Sequence, residues 1–249
     1  MTTKHLLAAL SALFVLASCK KNNSTEPSGN TQKLKTYIED VWTTSYHVTD
    51  TFAVTYDNNN RITSLASPEM RFVYTYSDKS FTLDLIYGTN QVSIHENFYL
   101  NNIPYLDSTF QYNATNDSTT EKYVYNGKLL TRKTTYTYSK NGTTVDFRND
   151  YTYDNNGNLI KDVETDGQGN INTTSTYTYT TTPLNVSVNP VYYPIQSKYF
   201  PATQKQTDGT GTPIVTITYS YLFDSSGRVS KETDTADDGE VAIKTYIYY

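Results

Sequence analysis

Beyond residue 33 the chain alternates. Tyr74-Thr75-Tyr76, Tyr123-Val124-Tyr125, Tyr136-Thr137-Tyr138, Tyr151-Thr152-Tyr153, Tyr177-Thr178-Tyr179 and Tyr219-Ser220-Tyr221 each set a smaller residue between two rings. Successive side chains of a strand point to opposite faces, so this period of two predicts strands with rings on one face and hydroxyls or Val on the other. Facing rings and facing Thr on neighbouring strands stabilise the pairing by up to ~1 kcal/mol each. In residues 34 to 46, Leu34, Ile38, Val41 and Trp42 fall at helical spacing, whereas Thr36, Thr43 and Thr44 favour extension. A first hairpin, 34–41 then 47–56, is expected there, with a helix as the alternative.

The alternating segments stop at turn chemistry. Asn126-Gly127, Asn141-Gly142, Asn156-Gly157, Gly167 to Gly169, Asp208-Gly209, Gly227 and Asp238-Gly239 supply the positive-φ positions that tight hairpins need. Gly127, Gly142, Gly157 and Gly169 lie 15, 15 and 12 residues apart, room for one strand and one turn each. Strands that reverse at every turn pair with their sequence neighbours, and no gap holds the long crossover of a parallel sheet. The expected fold is all-β: an antiparallel meander of ~12–16 strands forming one curved or barrel-like sheet. Residues 181 to 201, with four of the eight prolines and no Gly, are expected to interrupt it as a long connection or edge strand.

A repeat underlies the alternation. Tyr56-Asp57-Asn58-Asn59-Asn60-Arg61-Ile62, Tyr153-Asp154-Asn155-Asn156-Gly157-Asn158-Leu159 and Phe223-Asp224-Ser225-Ser226-Gly227-Arg228-Val229 share the order aromatic, Asp, two polar residues, Gly or Asn, polar, aliphatic. Tyr125-Asn126-Gly127-Lys128-Leu129 is a shortened relative. The pattern resembles the tyrosine-aspartate (YD, Rhs-like) repeat. The chain from about Leu34 to Tyr249 is similar to a family of Bacteroidetes-type lipoproteins of unknown function built from such units. That resemblance implies a porin-like or barrel-like β fold and no particular activity. The first unit departs from the pattern in having Asn60 for Gly, and Asn tolerates positive φ.

The N-terminus reads as an address. Lys4 and His5 precede the run Leu6 to Leu16, too short to span a bilayer, and Leu16-Ala17-Ser18-Cys19 follows. This stretch resembles the lipobox of bacterial lipoproteins, which implies cleavage between Ser18 and Cys19 and lipidation of Cys19. Cys19 is the single cysteine of the chain, so no internal disulfide competes for it. Residues 1–18 are read as a signal peptide, 19–33 as the lipidated Cys and a flexible tether, and 34–249 as one β domain. The expected location is the cell envelope, lipid-anchored, most naturally at the outer membrane.

Composition changes this picture little. Of the 249 residues 37 % are hydrophobic and 25 are Tyr, so rings must supply much of the core. A net charge of −5 excludes nucleic acid as a partner held by bulk electrostatics. His47 and His95 stand apart from any metal-ligand spacing, and no nucleophile elbow, phosphate loop or dinucleotide fingerprint occurs. Asp154, Glu164, Asp166, Asp234, Asp237, Asp238 and Glu240 are assigned to hairpin tips, where they would stay solvated. No catalytic residue, metal or cofactor is therefore expected. The ring cluster Tyr192, Tyr193, Tyr199 and Phe200 in the proline-rich stretch is the candidate ligand-binding surface, for a glycan or a protein. The expected function is a membrane-tethered, non-enzymatic binding or structural module. An envelope glycan hydrolase and a membrane-spanning barrel are the alternatives, the latter suggested by the alternation Val241, Ile243, Thr245, Ile247, Tyr249.

Overall fold

A computed structural model of the chain describes residues 33–88, 91–100, 106–112, 118–184 and 197–249. The signal segment, Cys19 and nearly all of the tether lie outside these residues, as do Tyr192 and Tyr193. Sixteen strands follow one another: β1 Leu34–Trp42, β2 His47–Tyr56, β3 Ile62–Ala66, β4 Met70–Tyr76, β5 Ser80–Tyr87, β6 Gln91–Leu100, β7 Leu106–Tyr112 and β8 Ser118–Asn126, then β9 Leu129–Ser139, β10 Gly142–Tyr153, β11 Leu159–Asp166, β12 Ile171–Pro183, β13 Tyr199–Asp208, β14 Pro213–Phe223, β15 Val229–Ala236 and β16 Val241–Tyr248. Each strand pairs antiparallel with the next, and β1 pairs with β16 through Tyr37↔Tyr246 and Glu39↔Lys244, closing the meander into a barrel. The first hairpin forms as the threonines favoured. Strand reversal puts the start of β1 and the end of β16 at one end, here the near end, with the β2–β3, β10–β11 and β14–β15 turns.

Burial follows the alternation. On β1 the inward positions Tyr37, Glu39 and Val41 are buried, while Trp42 is exposed. The near half of the interior is packed with Leu34, Tyr37, Phe52, Val54, Phe81, Phe98, Phe200, Val229, Tyr246 and their neighbours. Phe81 stacks on Phe98 with ring centroids 4.2 Å apart, and Tyr37 lies against Phe52 at 6.0 Å. Burial falls off toward the far end: along β2, Val54 and Phe52 are buried whereas Val48 is 46 % exposed. The outer faces are polar. Thr49, Thr51 and Thr55 of β2, Thr176 and Thr178 of β12, and Thr218 and Ser220 of β14 are exposed. They form hydroxyl ladders such as Thr178 to Thr203, 2.7 Å apart.

Five of the six tyrosine triplets point their rings inward; Tyr136 and Tyr138 point out. Lys122 faces Thr134, and Thr120 faces Tyr136, so these rings share the face of exposed Lys122, whose Nζ lies 5.7 Å from the Tyr136 ring centroid. The cause is a bulge. Val124 pairs with Arg132 but Tyr125 pairs with Leu130, and the extra residue, Thr131, reverses the parity of everything beyond it.

The proline-rich stretch holds a long connection between β12 and β13, as expected, but the meander order continues across it. β12 runs to Pro183 and β13 resumes at Tyr199, with Pro183 opposite Tyr199 and Tyr179 opposite Pro201. The register shifts on either side of Tyr179, so the missing N–H groups of Pro183 and Pro201 fall where the ladder is already irregular.

The repeated turns share one geometry. In each of the three units the Asp N–H donates to the carbonyl of the residue four on, and a positive-φ residue closes the turn: Asn60 at 62°, Gly157 at 85°, Gly227 at 74°. The Asp Oδ1 accepts the backbone N–H groups two and four residues on, for example Asn156 and Asn158 at 2.8 Å each for Asp154. A Cβ at position 157 would meet only Leu129 Cδ2 at 3.8 Å, so backbone conformation alone demands glycine there. Gly157→Val is expected to cost about 1–2 kcal/mol through φ, read as a lower urea midpoint, and Gly157→Asn clearly less, as Asn60 shows in the sister turn.

Candidate functional site

Among the described residues two places stand out for the chemistry-bearing side chains they bring together. The first is a charge cluster in the barrel wall. Lys244 on β16 is 2 % exposed and faces Glu39 on one side and Glu232 on the other. Its Nζ donates to Glu232 Oε1 at 2.9 Å and Asp234 Oδ2 at 2.7 Å, and Tyr246 OH donates to Glu232 Oε2 at 3.1 Å. Two buried carboxylates thus share one ammonium, with the third, Glu39, buried across the strand from it. Burial pushes Asp234 up to about 7 despite the Lys244 charge, and raises Glu39 likewise. Burial alone would lower Lys244; the charges of Glu232 and Asp234 outweigh it and hold the ammonium protonated. A similar pairing stands on β8 and β9: Lys133 Nζ donates to Glu121 Oε1 at 2.9 Å, and Tyr123 OH to Glu121 Oε2 at 2.6 Å.

The assignment of Asp234 and Glu164 to hairpin tips is therefore corrected. Asp234 sits on β15 opposite Tyr219, within the inward series Glu232, Asp234, and Glu164 lies on β11 opposite Asn149. In the sequence Asp234 stands next to the acidic turn 237–240, although Glu232, Asp234 and Lys244 share the parity of inward rings. That parity is the signal that could have found the cluster. With Glu232 and Lys244 sealed from solvent, these acids serve the wall; they present no paired carboxylates to a substrate.

Burial also raises Asp162 on β11 to about 6. An unfolded Asp titrates near ~3.9, so between pH ~4 and ~7 the folded chain binds more protons than the unfolded one. The stability that Asp162 and Asp234 contribute is present below that window and is lost as pH rises through about 6 and about 7. The turn carboxylates act oppositely. Asp166, Asp208 and Asp224 are lowered, first by the side chains of Asn170, Thr210 and Arg228 that bond them, and their contribution is lost on acidification. Thermal melts are expected to peak near pH 5 and to fall by about 5 °C at pH 8, with Asp162→Asn flattening part of that slope.

The histidines are cross-strand partners on the outer face. His47 stacks on Trp42, ring centroids 3.5 Å apart, and its Nε2 meets Asp40 Oδ1 at 2.5 Å. Thr49 Oγ1 approaches the same Nε2 at 3.2 Å and also donates to Asp40 Oδ1. Relay catalysis needs the acid and the nucleophile on different ring nitrogens, and here both meet one. His95 Nδ1 pairs with Asp84. Among the described residues no group of three His, Cys, Asp or Glu is placed to hold a metal ion.

The second place is an open cleft of about 430 Å³ at the near end, between the β10–β11 turn and β12. Asp154, Asn156, Asn158, Tyr177, Tyr179 and Tyr199 line much of it. Tyr179 OH is fixed on Leu159 O at 2.6 Å and Ser197 Oγ at 2.8 Å, and Asn158 Oδ1 accepts the N–H of Lys198 at 2.8 Å. Of the four rings singled out in the sequence, Tyr199 borders this cleft. Phe200 is fully buried in the core, 4.6 Å from the Tyr221 ring.

Solved structures share this architecture. A porin-like protein from Bacteroides uniformis superposes with a TM-score of 0.62 at 14 % identity, covering 88 % of this chain and 98 % of its own. A porin-like protein from Bacteroides vulgatus gives 0.62 at 9 % identity, covering 88 % and 99 %. At such identity the likeness concerns the fold alone. No family model and no curated protein matches the sequence.

Proposed function

We propose that the protein is a lipid-anchored, non-enzymatic binding module of the bacterial envelope, its barrel standing in water beside the membrane and its ligand seated in the near-end cleft. The observation that carries this reading is the outer surface. A spanning barrel needs an apolar band ~25 Å tall on its lipid face. Here threonine and serine dominate that face, apolar positions such as Val124, Leu222 and Ile247 are scattered among them, and exposed Lys205 on β13 and Arg132, bonded to Asp150 at 2.6 Å, interrupt it. The most apolar outer strand, β16 with Val241, Ile243 and Ile247, is flanked by Asp40 of β1 and Thr233 of β15 at the level of Ile243. The porin-like neighbours support an envelope location, and the recurring turn geometry supports the resemblance to YD-repeat lipoproteins. Lipidation at Cys19 would then supply the membrane attachment that the strands do not.

Cys19→Ser is expected to move the protein from the membrane fraction to the soluble one under carbonate extraction. Retention in the membrane would favour a spanning barrel. A glycan and peptide array probed with the soluble Cys19→Ser chain tests the binding half of the reading, with Tyr199→Ala expected to weaken any captured ligand.

A further inference from the structure

The second repeat unit has Asn158 where the first and third have Arg61 and Arg228, and the cleft lies at that difference. In the first unit Arg61 donates from Nε to Asp57 Oδ2 at 2.7 Å, and its guanidinium carbon sits 4.2 Å from the centroid of Tyr76. In the third, Arg228 pairs with Asp224 Oδ2 at 2.7 Å and sits 4.3 Å from the centroid of Tyr248. Both rings are held in the same way: Tyr76 OH donates to Ile62 O and Tyr248 OH to Val229 O, each at 2.7 Å. The second unit keeps every element of this seat except the cation. Asp154 stands for Asp57, and Tyr179 OH donates to Leu159 O at 2.6 Å, but residue 158 is Asn. Asn158 Nδ2 bonds Asp154 Oδ2 at 2.8 Å and its Oδ1 turns to the backbone of Lys198 and Tyr199. Among the described residues no cation lies over the Tyr179 ring, and the cleft opens beside it.

We infer that this cleft takes an arginine side chain from a polypeptide partner, its guanidinium lying over Tyr179 and pairing with Asp154 as Arg61 and Arg228 do within the chain. The chemistry suits that ligand over an anion or a neutral sugar. The turn amides and the Asn158 side chain outweigh burial and hold Asp154 low, so it is an anion at neutral pH. A tyrosine face beside a carboxylate attracts a cation, and a planar guanidinium can stack and pair at once. The volume falls within the ~300–1,000 Å³ of small-ligand sites. One charge opposes it: Lys198, whose Nζ lies 5.2 Å from the Tyr199 ring centroid, stands near the rim.

The inference rests on the binding-module reading, and its test separates the two. The full chain carrying Cys19→Ser is titrated with N-acetyl-arginine amide, its uncharged analogue N-acetyl-citrulline amide, and cellobiose, followed by amide NMR shifts. The arginine amide is expected to move the amides of Asn156, Gly157 and Tyr179 with a Kd of about 1–10 mM, and the citrulline amide at least about tenfold more weakly. Lys198→Ala should tighten arginine binding about threefold by removing a like charge at an exposed site. Asn158→Arg should abolish it by filling the seat from within, and should that variant misfold, Lys198→Ala alone decides. Equal binding of arginine and citrulline, or weaker arginine binding in Lys198→Ala, overturns the inference. Cellobiose binding at the same amides in place of arginine overturns it while leaving the binding module intact. Silence of these amides toward all three probes and an empty array overturn both.

Discussion

Replacing Lys244 by Met should lower stability by about 3–5 kcal/mol at pH 7, because it leaves Glu232 and Asp234 buried without their shared ammonium. For a chain of this size that corresponds to a fall in Tm of roughly 10 °C. The volumes of Lys and Met are close, so packing contributes little to the loss. A charge origin has a signature. At pH 4.5 Asp234, whose carboxyl burial raises, takes up a proton, and the deficit should shrink by half or more; a deficit unchanged with pH would make the cost one of packing. The triple variant Lys244→Met, Glu232→Gln, Asp234→Asn removes all three charges together and should recover much of the loss, since a buried ion triad often contributes little beyond what a neutral replacement supplies. Glu39 stays in every variant. It is buried opposite residue 244, and burial raises its pKa, so it enters the low-pH arm in the same direction.

The alternation of Tyr with Thr carried the strand assignment, and the Asx-Gly spacing carried the antiparallel order, because both are local and repeat often enough to outvote exceptions. Closure was less legible. Whether β1 meets β16 depends on accumulated tilt and register over sixteen strands, which no single segment encodes. Parity failed at the bulge of β9: Thr131 turned Tyr136 and Tyr138 outward, and nothing in the six residues from Leu130 to Thr135 marks it. The buried ion cluster was hidden by composition. Glu232, Asp234 and Lys244 look solvated when counted as charges and look inward only when aligned with the rings of the neighbouring strand, Tyr221 and Tyr219, and with Tyr246 on their own hairpin. The seat beside Tyr179 could have been read from Asn158 standing where Arg61 and Arg228 stand, but the role of that position becomes visible only once both guanidinium groups are seen over their rings.

The neighbouring rings Tyr199 and Phe200 should part company under mutation. Phe200 is fully buried, 4.6 Å from the Tyr221 ring and 5.9 Å from that of Phe223, so Phe200→Ala opens a cavity among rings that cannot collapse into it. The expected loss is about 3–5 kcal/mol, seen as a large fall in the urea midpoint with little change in slope. Tyr199, half-buried at the cleft, ends the ladder opposite Pro183, and its N–H is held by Asn158 Oδ1 through the backbone. Tyr199→Ala keeps that bond and should cost under about 1.5 kcal/mol, while changing whatever the cleft binds. Adjacent residues on one strand thus separate core from site, because the pleat sends one ring into the barrel and leaves the other at its edge. If Tyr199→Ala proved as destabilising as Phe200→Ala, Tyr199 would belong to the packed interior, and the cleft would lose its exposed wall.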